Sequence, residues 1–256
     1  MLEVEGLAKR YGEVWAVHEM SLALEAGTTL VLLGQNGAGK TTALRCLSGL
    51  LQPTAGSVRV GGVDSRDDPD AVRAQVGLVP EVPGLYERMP ARAYLDYFGR
   101  IHDLDPETRG RRITELLDRF GLTSAGDRWL GTFSKGMRQK VALIRATLHR
   151  PRLVLADEPT SALDPDSARV AWAYLEDLRR QGAALVVCTH NMEEAQELAG
   201  EVGIMAGGRL LASGTVGELI DRSGLERRRH VVERPSLEDV YLAIVGRGRA
   251  DEARPA

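Results

Sequence analysis

The sequence predicts an α/β fold with a parallel core sheet, an antiparallel region near the N-terminus and a helical insertion. Short apolar runs alternate with helical patterns, and most of these runs are apolar on both faces, which is typical of a parallel sheet covered by helices. The predicted core strands are Thr29–Leu33, Val76–Val79, Leu153–Ala156, Ala184–Cys188 and Val202–Met205. Nearer the N-terminus the runs alternate more strictly beside Gly-containing turns, as antiparallel strands do. These runs are Leu2–Leu7, Val14–Val17, Ser21–Leu24 and Ser57–Val60.

The segment between Pro80 and Pro151 is helical in pattern. Ala93–Ile101 and Thr108–Phe120 carry apolar residues at three- and four-residue spacing, and a third helix is predicted over Lys135–His149. This block therefore reads as a helical insertion in the α/β core.

These patterns suggest one main domain followed by a short extension. We place the domain at residues 1–220, with the helical subdomain at about 82–150, and the extension at residues 221–256. Ser236–Ile244 has the cap and apolar stripe of a closing helix, and the Gly- and Arg-rich end from Arg247 is expected to fray.

Composition narrows the classes of function. The chain has 256 residues, 43% of them hydrophobic and 27% charged, as in a globular protein with a sizeable core. A net charge of -3 gives no reason to expect nucleic-acid binding. Cys46 and Cys188 lie in apolar segments and are expected to be buried free thiols. No apolar run approaches the roughly 18 residues of a membrane span. The N-terminus lacks a signal-peptide pattern, so we expect a cytoplasmic protein.

The most informative motif follows the strand Thr29–Leu33 and precedes a helix. It fits the phosphate-binding loop pattern G-x-x-x-x-G-K-[ST]. The glycines let successive N–H groups face an anion, and the helix N-terminus adds its positive dipole end. Lys40 supplies a charge for the outer phosphates and Thr41 a hydroxyl for Mg²⁺. The candidate nucleotide-binding residues here are Gly34, Gln35, Asn36, Gly37, Ala38, Gly39, Lys40, Thr41 and Thr42.

A pair of carboxylates ends the buried strand that begins at Leu153. Asp157 is placed to hold Mg²⁺, as the second acidic element of a phosphate-loop nucleotidase does. Glu158 points elsewhere and could polarise the water that attacks the γ-phosphate. Acidic residues at strand ends are common, so this interpretation depends on the loop at Gly34.

A third motif starts the helix that is predicted from Lys135. Ser134 is a good N-cap, and Gly136 allows a close backbone approach. A capped helix start is an anion site, although an ordinary cap explains the same residues when they are considered alone.

Taken together, these motifs resemble the ATP-binding subunit of an ATP-binding-cassette (ABC) transporter. The resemblance runs from about Leu2 to about Gly246, and the order and spacing of the motifs agree throughout. The matching positions are Tyr11, Gly34–Thr42, Glu81, Ser134–Met137, Asp157–Glu158, Ser161–Asp164 and His190. The resemblance implies a P-loop ABC ATPase fold with a RecA-like core, and it implies that the protein binds ATP and Mg²⁺.

The resemblance also implies residue roles within one subunit. Tyr11 would stack on adenine, and Glu81 stands where the family has a glutamine that contacts Mg²⁺ and the transmembrane partner. His190 would hold the γ-phosphate and orient the region of Glu158. The resemblance thus implies three catalytic residues: Glu158, His190 and Lys40.

Other implied roles need a second subunit. In this family two ATP-binding domains meet head to tail, so Ser134 and the Gly136 backbone would contact ATP bound to the facing copy. Asp164 would link the two sites. Binding of ATP would then hold the dimer closed, and hydrolysis would open it.

Three positions depart from the family pattern. Lys135 replaces a glycine, Met137 replaces a glutamine and Glu81 replaces a glutamine. The Ser-Lys-Gly-Met and Val-Pro-Glu forms are familiar in the subgroup that drives type-2 exporters of drugs and antibiotics. Lys135 either faces solvent or adds charge near the phosphates.

We therefore expect an ATPase that powers an exporter, peripheral on the inner face of the cell membrane. Its expected partners are a polytopic permease and a second ATP-binding subunit, identical or not, with no nucleic acid. One alternative is a soluble ABC ATPase that acts in a cytoplasmic assembly process. Another is an interaction subunit that binds ATP and scarcely hydrolyses it. The other histidines show no metal-ligand spacing and are expected to be solvated or locally bonded: His18, His102, His149 and His230.

Overall fold

The computed structural model describes residues 1–198, 200–224 and 244 of the chain. The strands are β1 (Leu2–Tyr11), β2 (Val14–Leu24), β3 (Thr29–Leu33), β4 (Ala55–Val60), β5 (Val63–Asp64), β6 (Val76–Val79), β7 (Leu153–Asp157), β8 (Ala184–Thr189), β9 (Glu201–Ala206) and β10 (Arg209–Gly214). The helices are α1 (Lys40–Leu47), α2 (Pro69–Gln75), α3 (Ala91–Ile101), α4 (Pro106–Arg119), α5 (Lys135–Thr147), α6 (Pro165–Arg180), α7 (Met192–Leu198) and α8 (Val216–Ser223). Short 3₁₀ turns lie at Thr123–Ala125 and Leu130–Thr132.

The strands form a 10-stranded sheet in the order β5-β4-β1-β2-β10-β9-β3-β8-β7-β6. Its core is parallel, because β3 pairs in parallel with β8 and β9, and β7 with β6 and β8. At the other end β1 pairs antiparallel with β2 and β4. The α/β prediction, with its parallel core and antiparallel N-terminal strands, is confirmed.

Alternate residues of β3 show why its sequence is apolar throughout. Leu30 and Leu32 join the core cluster that packs around α1 and the N-terminal strands. Val31 and Leu33 join the larger cluster that includes α3–α6. Both faces are covered, and burial of each such side chain contributes about 1.5–3 kcal/mol. A charged residue at Val31 would therefore have no route to water.

One expectation for the N-terminal strands was wrong. Val14–Val17 and Ser21–Leu24 were expected as two strands, but residues 14–24 form the single strand β2. The alternation of apolar and polar residues breaks because the pairing of β2 with β1 shifts in register, and because Glu19 has a φ of 43°. A bulge of this kind shifts the side-chain pattern without ending the strand.

The third helix of the insertion ends slightly earlier than expected. α5 stops at Thr147 rather than at His149, and Pro151 follows. The buried guanidinium of Arg112, on α4, donates to the carbonyls of Leu148 (2.6 Å) and Thr147 (3.1 Å). An arginine of the neighbouring helix thus satisfies carbonyls that the helix end leaves open.

One histidine behaves differently from the expectation of solvated or locally bonded rings. His149 stacks on His102 with ring centroids 3.7 Å apart, and both His149 nitrogens are buried without a hydrogen-bond partner. Burial lowers the pKa of His149 to about 4, so the ring is neutral at pH 7.

The other local expectations concern cysteines and the C-terminal part. Cys46 and Cys188 are free and buried, as expected. The proposed closing helix over Ser236–Ile244, the tail from Arg247 and His230 lie outside the described residues, apart from Ile244, which packs on the larger core cluster. The boundary at residue 220 stays a prediction, and α8 runs across it. Among the described residues, no helix has the length and apolar character needed to cross a bilayer.

Candidate active site

The polar segments singled out in the sequence follow the carboxyl ends of neighbouring parallel strands. The glycine-rich loop follows β3, Glu81 follows β6, Glu158 follows β7 and His190 follows β8. In α/β sheets of this kind ligands bind beyond the carboxyl ends of the strands. The parallel register therefore gathers at one edge four segments that are far apart in sequence.

The loop after β3 needs its glycines for two separate reasons. Gly37 and Gly39 have φ values of 83° and 100°, which other residues rarely adopt. A Cβ on Gly39 would lie 2.3 Å from the Ala16 carbonyl oxygen, and one on Gly34 would lie 2.5 Å from that of Met205. The loop therefore presses against neighbouring backbone and leads into α1, whose first turn has no acidic residue. This cradle and the open dipole end suit a phosphate.

Lys40 is the first residue of α1 and is 6% exposed. Its ammonium donates to the carbonyl oxygens of Gly34 and Gln35, the latter at 3.3 Å. The cation is thus held over the loop by neutral partners, so it can neutralise the charge of a phosphate. Gln35, Asn36 and Gly37 form the exposed tip of the loop.

Oxygen donors for a metal lie beside the loop. The Thr41 hydroxyl donates to Asp157 Oδ2 at 2.6 Å, and Asp157 is 4% exposed. Burial raises the pKa of Asp157, the Thr41 hydrogen bond opposes that rise, and the negative charge of Glu81 adds to it. Hard oxygen donors of this kind fit Mg²⁺, which prefers few protein ligands together with phosphate oxygens. Thr41 and Asp157 could hold it, with Glu81 nearby.

Glu158 has an unusual backbone. Its φ is 49°, although it is not a glycine, and its N–H donates to the Cys188 carbonyl at 2.9 Å. Strain of this type is found disproportionately at functional sites. The side chain is 8% exposed, and His190 Nδ1 lies 2.7 Å from Glu158 Oε1. A buried carboxylate is therefore held against a solvent-facing imidazole.

A cavity of about 280 Å³ lies between the loop and the His190 segment. Its lining includes Gly34, Asn36, His190 and Met192. Two larger cavities, of about 470 and 600 Å³, lie away from these chemical groups. The small cavity matters more here, because the phosphate loop and His190 meet around it.

Tyr11 lies at the end of β1 and is 48% exposed. The β1–β2 hairpin is tied to the loop, since the His18 N–H donates to Gly208 O (2.7 Å) and the Gly208 N–H to Ala38 O (3.1 Å). An exposed aromatic ring on this hairpin is available for stacking.

Ser134–Met137, which stand at the position of the family's signature motif, form a separate group at the start of α5, the signature helix. Ser134 Oγ accepts from the Met137 N–H at 3.2 Å, and the Ser134 carbonyl from the Arg138 N–H at 2.9 Å. Ser134 thus bonds only within α5, as far as the structure describes the chain. It is exposed, as is Lys135, whereas Met137 packs on the core.

Two further observations concern the same group. A Cβ on Gly136 would lie 3.0 Å from the Ala162 carbonyl oxygen, so α5 closely approaches the segment before Asp164. Asp164 caps α6 and accepts from the Ser167 N–H (3.0 Å) and hydroxyl (2.6 Å), which lower its pKa. The Ser134 cap predicted from the sequence is confirmed.

Three polar residues beside Glu158 were not predicted from the sequence. Thr160, Thr189 and Glu194 share hydrogen bonds that connect the segments after β7 and β8. The position of Thr189 next to His190 is the one feature of the sequence that could have indicated its place in the site. Glu194 belongs to no motif that marks a site.

Comparisons with known proteins agree with this geometry. The sequence profile of the ABC transporter family matches residues 17–161. The ABC transporter ATP-binding protein NatA of Bacillus subtilis is 40% identical over 209 residues, which cover 81% of this chain and 85% of that protein. The daunorubicin resistance ATP-binding protein DrrA3 of Streptomyces coeruleorubidus is 37% identical over 226 residues, 88% of this chain and 72% of that protein.

Solved structures show the same fold. An ATP-binding subunit of an ABC transporter has a TM-score of 0.88 at 29% identity, covering 96% of this chain and 99% of that one. An ATP-binding cassette solved as a post-hydrolysis dimer with ADP and Pi has a TM-score of 0.78 at 24% identity, covering 84% and 99%, which supports the fold alone. The chain thus belongs to the ABC transporter family and is an ATP-hydrolysing, ATP-binding subunit of that family.

Proposed function

We propose that two such subunits clasp ATP head to tail and that the closing and opening of this dimer drive an export permease. The observation that carries the proposal is the division of the site. The phosphate loop, Asp157, Glu158 and His190 converge in one chain, whereas Ser134 lies at the exposed start of α5 and bonds only within that helix among the described residues. A helix start is suited to an anion, and the exposure of this one leaves it accessible to a phosphate that a facing subunit holds.

Within each half, catalysis rests on charge and position, since phosphoryl transfer needs little covalent help. Lys40 and the loop N–H groups stabilise the charge on the transferred phosphoryl group. Glu158 accepts the proton of the attacking water, and His190 orients that carboxylate and meets the γ-phosphate. Mg²⁺, held by Thr41 and Asp157 with Glu81 nearby, supplies charge neutralisation to the phosphates when bound. Tyr11 stacks on adenine, and the facing Ser134, Gly136 and Asp164 complete the site.

The export direction is supported by the names of relatives. They include daunorubicin resistance and linearmycin resistance ATP-binding proteins and a Nod factor export ATP-binding protein. By the same relation the subunit works in the cytoplasm, against the inner face of the membrane, beside a polytopic permease.

A surface suited to the permease lies where α3 meets the core. Tyr86 and Tyr97 are 52% and 44% exposed, with ring centroids 6.3 Å apart. Leu50 and Ile101, 60% and 54% exposed, border the cavity of about 470 Å³. Exposed apolar groups clustered in this way mark interaction sites more often than free surface.

The test compares Glu158→Gln with wild type. We expect phosphate release to fall by about 100-fold or more and ATP to hold the variant as a dimer on size-exclusion chromatography. Glu201→Gln makes the same change at an exposed position and should behave as wild type. Equal turnover of wild type and Glu158→Gln would remove Glu158 from its role.

A second measurement addresses the partner. Affinity purification from membranes of the native host should recover a polytopic protein, and Tyr86→Asp with Tyr97→Asp should release it while basal ATPase activity persists. Recovery of a soluble assembly protein instead would favour the alternative of an ABC ATPase without a membrane partner.

A further inference from the structure

A group of buried hydrogen bonds connects the segments that carry Glu158 and His190. Thr189 is 0% exposed and ends β8, and Thr160 is 5% exposed and lies two residues after Glu158. Glu194 accepts from both hydroxyls. Its Oε1 lies 2.9 Å from Thr160 Oγ1, and its Oε2 lies 3.2 Å from Thr189 Oγ1.

The Thr189 hydroxyl has two carboxylates within reach. Besides Glu194 Oε2 at 3.2 Å, Glu158 Oε2 lies 3.5 Å away. The hydroxyl already accepts from the Asn191 N–H at 3.0 Å and has only one proton to donate. It can serve one carboxylate at a time, and the shorter distance favours Glu194.

The competition between Glu158 and Glu194 for the Thr189 hydroxyl affects Glu158, the proposed proton acceptor. Glu158 Oε1 is engaged by His190 at 2.7 Å, so Oε2 is the oxygen through which Glu158 could receive a proton from water. A hydroxyl that donated to Oε2 would occupy one of the two lone pairs through which that oxygen meets water. The Thr160 bond fixes the other end of Glu194, which keeps its Oε2 aimed at Thr189.

We propose that Glu194 is a positioning residue for ATP hydrolysis, whose carboxylate draws the Thr189 hydroxyl away from Glu158 Oε2. The inference rests on the proposed role of Glu158 and adds a residue that acts through it. Glu194 itself does not touch the reacting atoms. Its effect is to keep one oxygen of the base open to the attacking water.

The first experiment measures phosphate release against ATP concentration for Glu194→Gln. Glutamine has one accepting oxygen where glutamate has two, so with that oxygen on Thr160, the partner at the shorter distance, the Thr189 proton is free to turn to Glu158. We expect kcat to fall about tenfold or more and KM for ATP to stay within about twofold. Glu201→Gln is the matched control. An unchanged kcat, or a loss confined to KM, would overturn the proposal.

The second experiment separates this role from a merely structural one. Thr189→Val removes the competing hydroxyl at nearly constant volume. In the Glu194→Gln background it should cause no further loss, or restore part of kcat, because the unwanted donor is gone. A double variant whose loss equals the product of the two single losses would show independent structural effects and contradict the proposal.

Thr160 gives a route that leaves Glu194 intact, should Glu194→Gln not fold. Thr160→Ser keeps the hydroxyl and should retain wild-type kcat, whereas Thr160→Val should lower kcat several-fold at constant KM. Equal kcat for these two variants would count against the inference.

Glu158→Gln, assayed in parallel, distinguishes the two proposals. Loss of turnover in Glu158→Gln with normal turnover in Glu194→Gln would reject only the positioning role. Normal turnover in Glu158→Gln would reject the base and the positioning role together.

Discussion

The phosphate-loop half and the signature half of the site both use the start of a helix, yet they are built differently. α1 begins after Gly39 in a left-handed conformation, and its first residue is the buried Lys40. α5 begins after the exposed Ser134, whose hydroxyl receives the Met137 N–H in an ordinary cap. The first half concentrates buried charge and backbone strain, and the second has neither.

This difference indicates which half one chain can build for itself. A group that is buried and charged must be satisfied by its own fold, as Asp157 is by the Thr41 hydroxyl. A capped and solvated helix start is stable alone, and in the proposed dimer it would meet a phosphate held by the facing subunit. Substitutions in the two halves should therefore fail in different assays.

The largest expected effect compares two lysines. Lys40→Ala should lower phosphate release by about 1000-fold, because the positive charge over the loop is lost where phosphate charge is stabilised. Lys135→Ala, one residue after Ser134, should change it less than about threefold, since this exposed side chain faces solvent. A large loss in Lys135→Ala would show that the signature half carries charge after all.

The second effect compares two glycines by thermal unfolding. Gly39→Ala should cost about 3 kcal/mol, because its φ of 100° suits glycine and its Cβ would meet Ala16 O. Gly136→Ala should change monomer stability by less than about 1 kcal/mol, since helix propensity offsets the tight contact with Ala162 O. It should nevertheless weaken the ATP-held dimer of Glu158→Gln.

Gly110→Ala, in α4 with open space around its Cβ, is the control for a gain in helix propensity alone. Equal destabilisation by Gly39→Ala and Gly136→Ala would contradict the prediction that only the phosphate-loop half depends on a strained glycine.

The third effect uses pH to loosen the end of the signature helix. Burial lowers the pKa of His149 to about 4 from the model-peptide value of 6.5, so the unfolded state binds more protons between these values. The free energy of unfolding should be greatest above pH 6.5 and should fall as the pH drops towards 4. Protonation of His149 in the unfolded state accounts for up to about 3 kcal/mol of this fall. Denaturant titrations at several pH values should show a weaker decline for His149→Phe. An identical decline would assign the effect to other groups.

The smallest effect separates capping from phosphate binding. Ser134→Ala and Thr215→Ala each remove an N-cap hydroxyl, from α5 and α8 respectively, at a cost of about 1 kcal/mol in stability. Only Ser134→Ala should also reduce ATP-dependent dimerisation and turnover. Similar turnover in both variants would limit Ser134 to a cap.

The parallel core and the phosphate loop could be predicted because their signals are local. A run such as Thr29–Leu33, which is apolar on both faces, is typical of a strand in a parallel sheet that is covered on both sides. The glycine spacing from Gly34 to Lys40 is typical of a loop that binds phosphate. The strand β2 was less predictable. Its bulge near Glu19 interrupts the alternation on which strand prediction depends.

The contacts among Glu158, Thr189 and Glu194 lay beyond prediction for a different reason. Glu158 and Thr189 are 31 positions apart and meet only because β7 and β8 are parallel neighbours. Glu194 joins them because α7 turns back from the end of β8. Hydrogen bonds between distant segments leave no periodic trace in the chain.

The amino-acid sequence by itself determined the nucleotide chemistry of this protein and its family, because the loop, the strand-end carboxylates and the signature are short motifs with local physical requirements. The tertiary structure alone decided that His190 lies against Oε1 of Glu158, that both ring nitrogens of His149 are buried and that Ser134, among the described residues, bonds only within α5. Those properties depend on distances between segments, and such distances are set only when the sheet and helices pack.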